Sequence, residues 1–194
     1  MRKAQVKRKT KETDITVRLG VDGKGSAKID TGVGFFDHML ELFAKHGLFD
    51  LAVKAKGDLK VDEHHTVEDV GIALGEAFSK ALGNRAGIFR YGDASIPMDE
   101  SLALCAVDLG GRGYSKVKVK FKEYDVKDTR TEVIPEFFQA FAMNAKANVQ
   151  MKVYGENDHH KAEAMFKAFA RAMRFACEKD KRAKGKLPTT KGKI

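Results

Sequence analysis

The feature that most restricts this chain is a pattern written twice. "DEHHTVEDV" occupies residues 62–70, and "NDHHKAEAM" follows ninety-five residues later; each places a glutamate shortly after two adjacent histidines. Four of the six histidines fall inside these copies. The repeat extends beyond them. His38 stands nineteen residues before Gly57 and Glu136 nineteen before Gly155, with Phe43 matching Phe141 and Ala44 matching Ala142. Glu68, Ala73 and Ala77 map in the same way onto Glu163, Ala168 and Ala172. The counts read as an internal duplication of a unit of roughly ninety residues. The expected class is α+β: two similar halves, each a small sheet with helices packed on one face. Residues 1–92 form the first half, 93–180 the second, and 181–194 a basic C-terminal segment.

Local periodicity assigns elements within each half. "TDITVRL" (13–19) alternates with period two and is followed by the turn-rich "GVDGKGSAKID", which reads as a hairpin. Phe36, Met39, Leu40 and Phe43 recur at helical spacing over 34–47, with Asp37 near the start and Gly47 as the stop. "FDLAVKAKGD" alternates again, and a second helix runs from His64 to Leu82 with Val67, Val70, Ala73, Leu74 and Ala77 on one face. The second half replays this order. Two strands around a glycine turn lie in 102–126, a proline-led helix in 135–147, a strand in "NVQMKVYG" and a long helix over 159–177. From Glu178 the chain is basic and turn-rich, so it is either disordered or ordered by a ligand or a neighbouring subunit.

Composition narrows the partners. The hydrophobic fraction of 43% supports a true core, and no apolar run approaches the ~18–20 residues a membrane helix needs. The N-terminus lacks the apolar stretch of a secretory signal, so a cytoplasmic location without membrane contact is the expectation. Cys105 and Cys177 sit apart in apolar surroundings and read as buried thiols rather than a disulfide or a metal pair. The net charge of +9 suggests an anionic partner without choosing among nucleic acid, acidic membrane and phosphorylated metabolite.

The histidine pairs point to metal. On a helix, His64 and Glu68 are i,i+4 neighbours and His65 and Glu68 i,i+3, and the same holds for His159, His160 and Glu163. Adjacent helical residues diverge by about 100°. One histidine of each pair therefore serves a different centre from its neighbour, an arrangement suited to two metals, each fed from both helices. Imidazole with carboxylate and no thiolate suits Mn, Fe, Zn or Ni. His38 is the natural further ligand, with Asp37 or a backbone group behind it. His46 is open between a substrate-side group and a structural histidine. The order is neither that of HExxH proteases nor of ExxH diiron bundles.

These segments resemble the imidazoleglycerol-phosphate dehydratase family. The motifs are "RKTKET", "GVGFFDHML", "DEHHTVED", "GIFRYGDASIPMDE", "DLGGRGY", "NDHHKAEAMFKAFARA" and "PTTKG", in order through nearly the whole chain. The resemblance implies an enzyme of histidine biosynthesis, a Mn-dependent hydro-lyase converting D-erythro-imidazoleglycerol phosphate to imidazole acetol phosphate and water. It also implies two Mn2+ per subunit and a homo-oligomer of twenty-four subunits with active sites at their interfaces. The metal ligands carried over are His38, His64, His65, Glu68, His159, His160 and Glu163. The family's remaining ligand is a histidine in "EHFF", where this chain writes "PEFF" with Glu136, a carboxylate that can also bind Mn. Glu12, in "TKET", matches the family's base at C2. Arg90, Arg112, Lys167, Thr189 and Lys191 match its phosphate-binding positions, Thr189 standing where the family usually has serine, and His46 is a further candidate on the substrate side.

The difficulty in this reaction is a proton on a carbon without a neighbouring carbonyl. Metal charge on the imidazole nitrogens would make up for that lack. Two other readings compete: a metal-dependent hydrolase of a phosphorylated metabolite, and a nucleic-acid binder using "KDKRAKGK" as a basic arm. The second lacks the interleaved aromatics of a single-strand binder, so the expected partner is a phosphorylated small molecule and no nucleic acid.

Overall fold

The computed structural model describes residues 2–194. Its two halves follow one path twice. The first runs through β1 (Lys3–Lys9), β2 (Thr13–Gly20), β3 (Ala27–Asp30), α1 (Gly34–Gly47), β4 (Asp50–Gly57) and α2 (His64–Leu82). The second runs through β5 (Tyr91–Met98), β6 (Ser101–Asp108), β7 (Tyr114–Lys118), a small ladder of β8 (Asp125–Val126) with β9 (Thr129–Arg130), α3 (Val133–Ala145), β10 (Asn148–Tyr154) and α4 (Asp158–Cys177). The four-stranded sheets have orders β1-β2-β4-β3 and β5-β6-β10-β7, identical once equivalent strands are matched. Even the helix ends correspond: α1 closes on a left-handed Leu48 and α3 on a left-handed Lys146, ninety-eight residues apart like His38 and Glu136.

Each sheet shows the period-two pattern of a surface covered on one side. In β2, Thr13, Ile15, Val17 and Leu19 are buried while Asp14 and Arg18 are exposed; in β10, Val149, Met151 and Val153 alternate with exposed Gln150, Lys152 and Tyr154. Helices α1 and α2 cover the first sheet, and α3 and α4 the second. The helices then pair across the halves, α2 against α3 and α1 against α4. Phenylalanines from both halves meet between them: Phe43 stacks on Phe169 at 5.2 Å, and Phe78 meets Phe141 edge-on at 5.5 Å.

The close approach of α2 to α3 depends on two glycines one helical turn apart. A Cβ on Gly71 would meet the Phe137 carbonyl at 2.9 Å, and one on Gly75 the Phe141 carbonyl at 2.6 Å and the Ala145 amide at 2.8 Å. These are backbone atoms, which cannot swing aside.

Both helices of the first half, the strand at 50–57 and the long final helix match the sequence reading to within a residue or two. Two strand pairings do not. β2 and β3 form no hairpin; β3 lies beyond β4 and runs parallel to it, with α1 as the crossover that parallel pairing requires. The glycine-rich loop between β2 and β3 is carried past the end of β4. Asp50 accepts hydrogen bonds there from Lys24 N and Ser26 N, and Gly23 packs so closely that a Cβ would overlap Asp50. Likewise β6 and β7 are separated by β10, which pairs with both. The partners of β2 are instead β4 and β1, a strand that the sequence reading did not assign and whose exposed Lys3, Lys7 and Lys9 suit an edge. Strand β5 also went unforeseen.

The C-terminal segment is held by its own chain, an outcome neither sequence alternative included. Asp180 N donates to Gly87 O, Gly87 N to Lys186 O, and Arg90 Nη1 to Pro188 O at 2.8 Å. Among the described residues no helix is long and apolar enough to cross a membrane, and both cysteines are free and buried.

Gly75→Ala tests the helix contact. Alanine favours an isolated helix by about 1 kcal/mol, but overpacking against backbone costs about 1–3 kcal/mol. The expected result is a lower midpoint in denaturant or thermal unfolding; an unchanged or raised midpoint would show that the helices can separate freely.

Candidate active site

The histidines sit where helices begin, and each start is fastened. Asn157 caps α4, its side-chain oxygen accepting from His159 N and His160 N. Asp62 accepts from His64 N at the start of α2. The start of α1, which carries His38, is capped from the other half: Asp128, beside β9, accepts from Gly34 N at 2.6 Å and Phe35 N at 2.9 Å. The adjacent Arg130 bonds Glu63 and Asp62 at the head of α2. This insertion, absent from the first half, thus ties α1 and α2 together. No sequence periodicity announced it.

Two donor groups result. His64 Nε2 lies 3.0 Å from Glu136 Oε2 and 3.9 Å from Glu68 Oε2. On the other helix pair, Glu163 Oε1 lies 2.8 Å from His159 Nε2 and 3.4 Å from His38 Nε2. Each group therefore joins the second helix of one half to the first helix of the other. Within one chain α2 packs on α3 and α4 on α1, so each group draws on only one of the two histidine-pair helices. Among the described residues of one chain, no set of three or more His, Cys, Asp or Glu side chains closes as ligands of a single ion would. Asp37 does not support His38 either. Its carboxylate accepts from Thr31 N and Thr31 Oγ1, bracing the entry to α1.

His65 and His160 turn away from these groups. Their ring centroids lie 5.9 and 6.2 Å from those of His64 and His159, and they bond other carboxylates. His65 Nδ1 meets Asp58 Oδ2 at 3.0 Å and His160 Nδ1 meets Glu100 Oε2 at 2.8 Å, and each hydrogen bond raises the histidine's pKa. Sequence reasoning singled out neither carboxylate, because neither stands at a helical spacing from its histidine. Glu12, in the β1–β2 turn, comes within 3.9 Å of His65 Nε2. The turn is held by buried Asp69 on α2, which accepts from Thr13 Oγ1 and pairs with Arg8.

Four of the five candidate phosphate residues line one cavity of about 620 Å³: Arg90, Arg112, Thr189 and Lys191, with Gly110 and Gly111 between them. Asp108 holds Arg90 through Nε at 2.7 Å and Nη2 at 3.1 Å. Lys167 is not in this lining; its Nζ donates to Glu163 Oε2 at 2.6 Å. Burial pushes the Glu163 carboxyl up, but the hydrogen bonds from Lys167 and His159 outweigh it and hold the pKa down at about 2. His46 is lowered by burial first and by the charges of Lys167 and Arg171 second.

The family model for imidazoleglycerol-phosphate dehydratase matches residues 31–173. The chain belongs to that family. It is 58% identical over 193 residues to the dehydratase of Koribacter versatilis, covering 99% of each chain, and 55% identical to that of Acetivibrio thermocellus, covering 100% of this chain and 99% of the relative. Among solved structures, the dehydratase of Staphylococcus aureus superposes with a TM-score of 0.83 at 35% identity, over 92% of this chain and 99% of that one. The dehydratase of Pyrococcus furiosus, solved in complex with (S)-C348, gives the same score and identity over 97% and 100%. The activity is that of a dehydratase of histidine biosynthesis, a hydro-lyase acting on a phosphorylated small molecule.

A carboxylate held below its ordinary 4.5 contributes stability above that value and loses it as the pH falls toward the folded-state value. In metal-free protein, the difference in unfolding midpoint between wild type and Glu163→Gln should therefore narrow as pH drops from about 4.5 to 2. A difference that stays constant across that window would contradict the Lys167–Glu163 geometry.

Proposed function

We propose that this dehydratase uses two Mn2+ per subunit, one on each cross-half donor group. The observation that carries this is the meeting of His64, Glu68 and Glu136 on one helix pair and of His38, His159 and Glu163 on the other. The donor set fits such ions: imidazole nitrogen and carboxylate oxygen, with no thiolate. Glu136 takes the place of the family histidine, its carboxylate reaching as far as His64 Nε2. His65 and His160, facing away from both groups, serve as ligands toward a neighbouring copy, in keeping with active sites at the interfaces of a twenty-four-subunit assembly. Bound Mn2+ would stabilise the substrate's imidazole in its anionic form, supplying the activation that a carbonyl supplies in simpler dehydrations.

The chain's own residues do the rest. Removing water requires a proton taken from C2 and a hydroxyl lost from C3. Glu12 is the base at C2, presented beside His65 by a turn that Asp69 anchors. Arg90, Arg112, Thr189 and Lys191 receive the phosphate, matching several donors to its oxygens. Segment 181–194 belongs to this site because Arg90 holds it through the Pro188 carbonyl. Lys167 is paired with Glu163, and its charge also reaches His46, the further candidate on the substrate side. The Lys167 charge also compensates the buried carboxylate. A cytoplasmic enzyme that binds neither membrane nor nucleic acid accords with this chemistry.

The test is product assay of imidazoleglycerol phosphate with Mn2+, with and without chelator, for the full chain and for a chain lacking residues 186–194. The full chain should release ketone without inorganic phosphate, lose turnover on chelation and recover it with Mn2+. The shortened chain should lose at least ten-fold in kcat/KM. Full turnover after complete metal removal, or unchanged kinetics without the tail, would overturn the corresponding part.

A further inference from the structure

The two outward histidines share an arrangement that the duplication did not supply. His65 and His160 are equivalent by the ninety-five-residue offset, and each engages a carboxylate through Nδ1. Outside α2 and α4 the halves match at other offsets: Gly57 corresponds to Gly155 and Asp14 to Leu102, which carries Asp58 to Glu156 and relates Glu100 to Glu12, so the two carboxylates are not copies of one another. One follows β4; the other lies in the β5–β6 turn. Two unrelated elements thus reach the same nitrogen of two related rings.

Glu100 is itself fixed. Its Oε1 accepts from Glu156 N at 3.0 Å, Asn157 N at 2.7 Å and Ser101 Oγ at 2.9 Å, which leaves Oε2 for His160. Those backbone amides lead directly into the α4 cap, so the carboxylate is rigid relative to the ring it holds. Asp58 is simpler: the bond to His65 is its only side-chain hydrogen bond among the described residues. A neutral imidazole carries a proton on one nitrogen and a lone pair on the other. A carboxylate at Nδ1 selects the Nδ1–H tautomer, turns the ring and leaves the Nε2 lone pair free to bind an ion.

We propose that Asp58 and Glu100 are positioning residues, which through Nδ1 present Nε2 of His65 and His160 as metal donors. The inference rests on the manganese reading above, and its test separates the two. Asp58→Asn and Glu100→Gln are the informative variants. In each the amide NH2 can take the place of the oxygen facing Nδ1, and a donor there favours the opposite tautomer, with the proton on Nε2. In Glu100→Gln the amide oxygen can still accept from Glu156 N and Asn157 N, so the α4 start is preserved.

Metal-free, assembled full-chain protein would be titrated with Mn2+ and free ion followed by electron paramagnetic resonance, with circular dichroism confirming the fold. Wild type should show two ions per chain. Each variant should weaken at least one of the two by about 10–100-fold, with secondary structure unchanged. Wild-type affinity for both ions in a folded Asp58→Asn and a folded Glu100→Gln would overturn the inference and leave the manganese reading standing. Absence of Mn2+ binding in the wild type would overturn both. Should Glu100→Gln fail to fold, Asp58→Ala decides alone, since it removes the acceptor at His65 Nδ1 and Asp58 carries no other side-chain hydrogen bond among the described residues.

Discussion

The rest of the molecule depends on the contact between α2 and α3 and its counterpart between α1 and α4. Two sheets with one covered face each could have formed separate domains. Instead their helix layers press together, with Gly71 and Gly75 letting one backbone lie on another and phenylalanines from both halves filling the space. Burial of these rings makes the duplicated unit a single core, at about 1.5–3 kcal/mol for each large apolar side chain. The same crossing places Glu136 beside His64 and His38 beside Glu163. Packing and chemistry therefore share one geometric cause.

The helix pattern was readable because it follows from local spacing: a 3.6-residue period in an apolar stripe survives any tertiary arrangement. Strand partners were not, because period two says which residues face the core and nothing about which strand lies alongside. The loop after β2 looked like a hairpin turn, yet Asp50 guides it past β4. The site was legible in its residue types and illegible in its grouping. His64 and Glu68 are joined by spacing alone, whereas Glu136 joins them only through the crossing of α2 and α3. Lys167 is the contrary case: its bond to Glu163 joins i,i+4 neighbours on α4, a pairing that spacing alone allows.

Electrostatics divides the site in two. At the helix starts, acceptors hold the backbone amides and fix the histidine-bearing turns: Asn157 on α4, Asp62 on α2 and Asp128 on α1. At the opposite chemistry, the Arg90–Asp108 pair fixes a guanidinium that also grips the C-terminal segment, and Gly110 gives it room, since a Cβ there would lie 2.6 Å from Arg90 Nη2. The proposed roles divide along the same line: phosphate at the guanidinium cavity and the imidazole ring at the histidines.

The most direct test of the central claim is a crystal structure with Mn2+, with anomalous differences collected above the manganese absorption edge. The account predicts two anomalous peaks per chain, one at coordinating distance from His64, Glu68 and Glu136 and the other from His38, His159 and Glu163. A single peak, or ions bound away from either cross-half group, would contradict it.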